Sequence, residues 1–428
     1  MMRRDDDSGD DDGDDDDEDT DEYGRILTFG LTTSNELAID TVPVRSLGND
    51  FVGFARARSG WHFMSARERT ASGAHVGEFI YVCPRADVMR TWSAEEESLV
   101  ELNDDRGTRE RRASTSEAAT RVVAMSREID AHWRALSAYI DENALERCNA
   151  GAGARVCAGD PDWARAGGDS ALTPYRKGAP RAPRFTTEAT ERAPRCASAS
   201  EVTAINADPE KRLEHAIGCF GADAWRGLLG ELQVAFVLLA GLSSLDALEQ
   251  WKALVNIVCA CARDAVKTRP ELYSAFIDVI EPQVKRAGSE FFAGDADTEN
   301  NFLRPCLVAL ARIDVEEARR ELHGSVLDAE RDAKLDEVAR KLDRFVRFVR
   351  AELGVDLVAE ARRAKDDDEK SILDAGDDAP VIVELSEGTY MRFDAFADVP
   401  VDVVDSSTAA AERMSWMSPP PALSSTSA

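Results

Sequence analysis

The chain has 428 residues, with 81 Asp and Glu against 52 Lys and Arg, and carries a formal net charge of −29. This length allows two or three domains. The acidic balance argues against nucleic acid or an anionic membrane as the main partner, because both bind clustered positive charge. Hydrophobic residues make up 43% of the chain, which is enough to bury a sizeable core.

The negative charge is concentrated near the N-terminus, where residues 5–22 hold 14 acidic and no basic residues. Like charges repel and such a run buries nothing, so residues 1–22 are predicted to be a disordered acidic tail. The segment lacks the features of a signal or transit peptide. The longest apolar stretch, 232–242, is shorter than the roughly 20 residues that span a bilayer. We therefore expect a soluble, intracellular protein that does not bind membranes.

Residues 23 to about 103 contain short apolar runs that are rich in aromatic and β-branched residues and separated by Gly, Asn, Pro and Ser. This pattern predicts antiparallel strands of a sandwich or small barrel. A helical stripe with Trp133 and Leu136 on one face follows. We assign residues 23–148 to a β-rich, sandwich-like N-terminal domain with a trailing helix. The apolar runs are 25–29, 51–54, 61–64 and 79–83.

Residues 149–205 are rich in Gly, Ala, Pro, Arg and Ser and lack apolar periodicity, which predicts a partly disordered linker. Residues 206–365 carry helical patterns and are predicted to form an all-α domain, which makes the whole chain α+β with two domains. Within this domain, 228–239 is apolar on most faces and should be a buried helix. Ser244 is a favourable N-cap for the next helix.

Residues 366–393 read as an acidic linker followed by a C-terminal β-strand, and 394–428 as a disordered tail. Val381, Val383 and Leu385 would share one face of the strand. Because a helical domain offers this strand no local partner, pairing with the edge of another protein's sheet would satisfy its backbone groups. Alternatively, the strand folds back on the N-terminal sheet or is disordered in the free protein.

No catalytic motif occurs: the chain has no phosphate-binding loop, nucleophile elbow or His-Glu-x-x-His sequence. The five histidines are scattered along the chain, and each is assigned a surface or packing role. The eight cysteines contain no Cys-x-x-Cys pair, and a zinc site or disulfide framework is not expected. We therefore predict a protein that is not an enzyme and binds no cofactor or metal.

Two helical segments, 229–237 and 248–254, combine buried-type apolar residues with unexpected polar ones. Together they resemble the signature of the AAR-two splicing factor family, the assembly factors of the U5 snRNP. The matching signature residues are Gly230, Glu231, Leu232, Gln233, Trp251 and Lys252. Further blocks follow the family order at 37–40, 51–54, 60–63, 92–96, 133–140, 291–292 with 301–303, and 379–388.

The resemblance implies a β-rich N-terminal domain, a VHS-like helical C-terminal domain and no catalysis. It also implies binding to the large U5 scaffold protein, pre-mRNA-processing factor eight, at its RNase H-like and Jab/MPN-like domains. While bound, the factor would hold off the U4/U6-unwinding helicase until snRNP maturation. The resemblance places such a protein in cytoplasm and nucleus, with U5 snRNP proteins as partners and no direct contact with nucleic acid.

The signature residues are expected to be mainly structural, whereas Val381, Val383 and Leu385 are expected to bind the partner. Trp251 lies on an apolar stripe, which favours the core over a binding surface, and Glu231 could pair within the helical domain. A different class of function stays open: a VHS-like helical adaptor that binds acidic or ubiquitin-type peptides in trafficking. An RNA-binding role is disfavoured by the charge.

Overall fold

The fold comes from a computed structural model of the chain. The predicted acidic tail up to residue 21, much of the predicted linker, and the C-terminal strand with the tail beyond it lie outside the described residues. The predictions for those segments are therefore neither confirmed nor contradicted. The structure describes residues 22–44, 51–69, 75–102, 122–158, 180–190, 198–288, 302–322 and 329–374.

Ten strands form two five-stranded sheets in the N-terminal part of the chain. They are β1 (Tyr23–Phe29), β2 (Asn35–Ile39), β3 (Val42–Pro43), β4 (Gly53–Arg58), β5 (Gly60–Glu68), β6 (Val76–Val82), β7 (Asp87–Ser93), β8 (Ser98–Glu101), β9 (Val122–Ala124) and β10 (Arg155–Cys157). The first sheet has the order β8-β7-β1-β4-β9, and the second has the order β10-β6-β5-β2-β3. Most neighbouring strands are antiparallel, as predicted, but β1 with β7 and β4 with β9 run parallel.

The two sheets pack face to face around an apolar core, which makes the domain a sandwich. Ile26 and Phe54 of the first sheet meet Met64 and Ile80 of the second in this core. Because side chains alternate along a strand, the neighbour of Met64, Phe63, points to the opposite face of the second sheet. That outer face is therefore also apolar, and it is covered by the helices.

Thirteen helices occur in the described residues, most of them in the C-terminal half. They are α1 (Arg127–Ser137), α2 (Glu142–Arg147), α3 (Thr187–Thr190), α4 (Ala199–Ala207), α5 (Pro209–Gly218), α6 (Ala224–Leu242), α7 (Leu245–Ala260), α8 (Ala262–Ala265), α9 (Pro270–Ala287), α10 (Leu303–Ala311), α11 (Val315–Leu322), α12 (Ala329–Leu353) and α13 (Leu357–Asp374). A short 3-10 turn, Gly221–Asp223, precedes α6. The predicted α+β class with a β-rich first domain and a helical second domain is confirmed.

Helix α6 is the centre of the helical domain, and most of its residues are buried. Together with the preceding 3-10 turn it is long and apolar enough to cross a membrane by length and composition alone. Most of this stretch is, however, buried inside the fold. The apolar character of α6 is therefore explained by neighbours that cover it on nearly every side.

Part of the stretch predicted as a partly disordered linker is ordered in the residues that the structure describes, 149–158, 180–190 and 198–205. Strand β10 pairs antiparallel with β6. The backbone of Arg181 continues this edge, because the Cys157 N–H donates to its carbonyl at 2.9 Å and its own N–H donates to Arg155 at 3.0 Å. Ala189 of α3 is fully buried, and α4 begins before residue 205. These contacts are long-range, and composition does not reveal them.

The sandwich and the helices share one core rather than meeting at a polar interface. Phe63 and Phe79, on the outer face of the second sheet, belong to the same apolar cluster as α6. A Cβ atom at Gly241 would lie 2.5 Å from the Phe63 ring, so the absence of a side chain there admits the ring. The Trp133 indole N–H donates to the Trp61 carbonyl at 2.6 Å and ties α1 to β5.

Candidate functional site

Four consecutive residues of α6, from Gly230 to Gln233, are buried at the junction of the two domains. A Cβ atom at Gly230 would lie 2.6 Å from the Tyr139 carbonyl oxygen and 3.1 Å from the Cβ of Ala144. Glycine therefore permits α6 to lie directly against the chain that joins α1 to α2. Leu232 is fully buried in the shared core.

Glu231 holds the segment that precedes α3. Its Oε2 accepts a hydrogen bond from the Thr186 hydroxyl at 2.6 Å, and its Oε1 accepts from the Thr186 backbone N–H at 2.8 Å. The Gln250 side-chain amide donates to the same Oε1 at 2.8 Å. Burial raises the pKa of the Glu231 carboxyl, although these hydrogen bonds oppose the rise. The carboxylate is thus an internal anchor for part of the predicted linker.

Gln233 satisfies the backbone at the end of α1. Its Oε1 accepts a hydrogen bond from the Tyr139 N–H at 2.7 Å, and its Nε2 donates to the Ala135 carbonyl at 3.2 Å. The last carbonyls of a helix lack partners within the helix, and a side chain that reaches them stabilises the end. The buried side-chain amide of Gln233 on α6 therefore stabilises the C-terminal end of α1.

Trp251 and Lys252 are adjacent on α7 but lie in different surroundings. The Trp251 indole is fully buried and donates to Gln283 at 2.8 Å. Its ring contacts Phe236 and Phe302, with centroids 5.3 and 5.4 Å away. The Lys252 ammonium is partly exposed, pairs with Glu249 at 3.0 Å and lies 5.5 Å from the Phe302 ring centroid. Of the six signature residues, Lys252 alone is not buried.

A buried histidine–aspartate pair, which sequence reasoning missed, lies at the second sheet beside the helices. His62 Nδ1 is 2.8 Å from an Asp40 carboxylate oxygen, and His62 Nε2 is 2.7 Å from the Arg58 carbonyl. Both ring nitrogens of His62 thus face oxygen atoms. Burial raises the pKa of the Asp40 carboxyl, although its hydrogen bond to His62 opposes the rise. The only available signal was that Asp40 and His62 lie in two neighbouring strand-like blocks.

Burial and the neighbouring groups shift the pKa of His62 in opposite directions. Burial alone would lower the pKa of His62, but the hydrogen bond and charge of Asp40 raise it. The Arg58 carbonyl and the charge of Asp130 also raise it, and together they bring the pKa of His62 above 6.5. Next to this pair, the Arg286 guanidinium donates to the Thr41 carbonyl at 3.1 Å and links α9 to the sandwich.

These residues use their polar atoms on partners within the chain and connect the two domains. No group of three or more His, Cys, Asp and Glu side chains that could hold a metal ion occurs in the part of the chain that the structure describes. The predicted partner-binding residues Val381, Val383 and Leu385 lie outside the described residues.

Two family matches cover most of the part of the chain that the structure describes. The AAR2 N-terminal domain matches residues 22–150, and the AAR2 C-terminal repeat region matches residues 185–358. The chain belongs to the AAR2 family. The second match begins one residue before Thr186, which Glu231 anchors, so the anchored segment is part of the AAR2 helical region.

Individual AAR2 proteins show the same relationship at low identity. The AAR2 homolog of rabbit (Oryctolagus cuniculus) is 28% identical over 206 residues, which are 48% of this chain and 52% of that protein. The human (Homo sapiens) homolog is 27% identical over 208 residues, or 49% of this chain and 46% of that protein. The Caenorhabditis elegans homolog is 32% identical over 99 residues, 23% of this chain and 27% of that protein. The chain thus spans about half the length, or less, of these relatives.

Proposed function

We propose that this chain is a non-catalytic assembly factor of the U5 snRNP in pre-mRNA splicing. It binds the large scaffold protein at its RNase H-like and Jab/MPN-like domains and holds off the U4/U6-unwinding helicase until maturation. It acts in cytoplasm and nucleus, through protein contacts and without direct binding of nucleic acid. The observation that carries the proposal is AAR2 membership matched in both domains, which supports a splicing-related role.

The burial of the signature residues supports a structural role for them within the chain. Glu231, Gln233 and Trp251 use their polar atoms on partners inside the molecule. Their side chains are therefore not available to a substrate or a partner protein. On this proposal, the signature fixes the relative position of sandwich and helices, and other surfaces make the contacts with the scaffold protein.

The partner contact that we propose is the segment Val381–Leu385. Its alternation of apolar residues suits a strand that adds to the edge of another protein's sheet. Val383 would lie with Val381 and Leu385 on one face of the extended sheet, and Ile382 would lie on the opposite face. Backbone hydrogen bonds would supply affinity, and the side-chain pockets on one face would supply specificity.

A pull-down with the RNase H-like domain of the scaffold protein tests the proposal. The full chain is expected to retain the domain, and a chain without residues 379–393 to retain at least tenfold less. Val383→Asp should weaken retention strongly, whereas Ile382→Asp serves as the matched control and should weaken it little. Failure of the full chain to bind would contradict the function. Equal binding by the shortened chain would contradict only the proposed role of the C-terminal strand in binding.

A further inference from the structure

A cleft of about 500 Å³ opens on the helical domain between α11 and α13, over one face of α12. Leu342 and Val346 of α12 form its floor, and Ile313 and Ala361 form apolar parts of its walls. Its volume falls in the range of roughly 300–1,000 Å³ that is usual for ligand clefts. Its lining combines apolar and charged side chains, so a well-matched occupant would carry both kinds of group.

Two cationic side chains lie on the α13 side of the cleft. Arg362 and Lys365 line it and are exposed. Most acidic groups on the opposite side are already engaged: Glu317 pairs with Arg263 at 2.7 Å, and Asp343 with Arg347 at 2.7 Å. Two cationic side chains beside an apolar floor select an apolar segment that carries acidic residues.

We propose that the occupant is the chain's own segment Val381–Leu385, which docks in this cleft in the free protein. Val381, Val383 and Leu385 lie on the apolar floor, and Glu384 and Glu387 lie near Arg362 and Lys365. Between residues 375 and 387, beyond the end of α13, the sequence has four acidic residues and no basic residue. The charge of this stretch therefore complements that of the rim.

The length of the connection permits this docking. Helix α13 continues nine residues beyond Lys365 to Asp374, about 13 Å at a rise of 1.5 Å per residue. Residues 375–380 extend to at most about 20 Å, so the chain can turn back to the level of Lys365. Gly376 allows the reversal, and Pro380 disfavours continuation of the helix. Five extended residues, about 16 Å long, then suffice to follow the cleft.

Docking would store the segment until a partner takes it. The same apolar face would bind either the cleft or the edge of the scaffold protein's sheet, but not both at once. This competition rests on the proposed function, whereas the docking itself does not. The free chain and the partner-bound chain would then differ in whether the cleft is covered.

Zero-length carbodiimide cross-linking of the full chain, followed by peptide mass spectrometry, tests the docking. It joins a lysine to a carboxylate in direct contact, so a Lys365 link to Glu384 or Glu387 is expected in the monomer. The Lys341–Glu337 pair, at 2.8 Å, is the internal positive control. Val383→Asp should reduce the Lys365 link at least fivefold, and Ile382→Asp less than twofold.

A second experiment reverses the charge at one position of the rim. Its result does not depend on a cross-link to Lys365. Carbodiimide coupling of a soluble amine labels exposed carboxylates. Glu384 should be labelled at least threefold more in Arg362→Glu than in the natural chain. Arg363→Glu, whose side chain is 73% exposed outside the cleft lining, is the matched control and should leave labelling unchanged.

Three outcomes would overturn the docking. They are absence of the Lys365 link while the control link forms, a link found only in dimers, and a link that persists in Val383→Asp. Adding the scaffold's RNase H-like domain should remove the link. If the link forms but this domain neither binds nor removes it, the docking stands and the proposed function fails.

Discussion

Buried polar side chains connect the parts of this molecule at the residue scale. Glu231 anchors the segment before α3, Gln233 fixes the end of α1, and His62 pairs with Asp40 beside the helices. Burying such groups without partners is costly, and each of these three has partners on another segment. The sequence showed that Glu231 and Gln233 are out of place in an apolar helix. It did not show their partners, which are distant along the chain.

Gly230→Ala tests the close approach of α6 to the α1–α2 connection. The new methyl group would meet the Tyr139 carbonyl at 2.6 Å, and such overpacking costs roughly 1–3 kcal/mol. Gly218→Ala is the matched control, because open space surrounds that position. Urea denaturation followed by circular dichroism should show a lower midpoint for Gly230→Ala alone. An unchanged midpoint would contradict the contact.

Glu231→Ala tests the anchoring of the segment before α3. The substitution leaves Thr186 and Gln250 without their acceptor, and losing a hydrogen bond to a charged group costs roughly 1.5–3 kcal/mol. Glu249→Ala removes an exposed ion pair and should change stability by about 0.5 kcal/mol or less. Hydrogen exchange should rise around residues 180–190 in Glu231→Ala only. Retained protection there would show that the anchor is unimportant.

The His62–Asp40 pair predicts a defined pH dependence. Because the pKa of His62 is raised in the folded state, its stabilising contribution is complete below about pH 6.5. That contribution is lost as the pH rises through the folded pKa. The difference in unfolding midpoint between the natural chain and His62→Gln should therefore be largest near pH 6 and shrink toward pH 9. A difference that grows with pH would have the wrong sign for this account.

At the scale of elements, local signals predicted what local interactions determine. Ser244 caps α7 by accepting a hydrogen bond from the Ala247 N–H at 3.3 Å. Val338, Phe345 and Val349 of α12 recur at helical spacing in the sequence, and all three are buried. In both cases the relevant residues lie within a few positions of one another, so the sequence carries the information.

Elements that depend on distant partners were not predictable in the same way. The Glu-rich run at 94–97 follows Ser93, a pattern typical of a helix start, but these residues form the turn between β7 and β8, where Glu97 has a left-handed φ of 46°. Strand β10 is only three residues long, and its antiparallel pairing with β6 stabilises it. An interior proline usually breaks or kinks a helix. Helix α9 nevertheless continues through Pro282, and the next two residues, Gln283 and Val284, are buried in the core.

The cap of α7 is a test at this scale. Ser244→Ala removes the side-chain acceptor and should cost about 1 kcal/mol, whereas Ser244→Gly should cost only a few tenths. Thermal unfolding monitored at 222 nm resolves the two variants. If both variants lost the same stability, burial of the hydroxyl rather than capping would explain the effect.

The whole molecule behaves in this account as one packing unit, because Phe63 of the sandwich is part of the helical core. Phe63→Ala should cost roughly 3–5 kcal/mol and lower the unfolding midpoints of strand and helix signals together. Tyr81→Ala, at a half-exposed position on the neighbouring strand, is the control and should cost much less. If only the strand signal shifted, the domains would be independent.

Charge is the other property of the whole molecule that bears on function. Of the net −29, the 14 acidic residues in 5–22 lie almost entirely outside the described fold and outside both AAR2 matches. The remaining chain is still acidic, which suits a factor that contacts proteins next to an RNA-containing particle. The position of this charge was predictable from the sequence, whereas the buried joint between the domains was not.

The central claim is that the chain holds the U5 scaffold protein while the helicase is kept away. Immunopurification of the full chain from cell extract, with quantitative mass spectrometry of what binds, measures this most directly. The account predicts strong enrichment of the scaffold protein with the U4/U6-unwinding helicase depleted relative to it. Recovery of scaffold and helicase in equal amounts, or of endosomal sorting proteins in place of the scaffold, would contradict it.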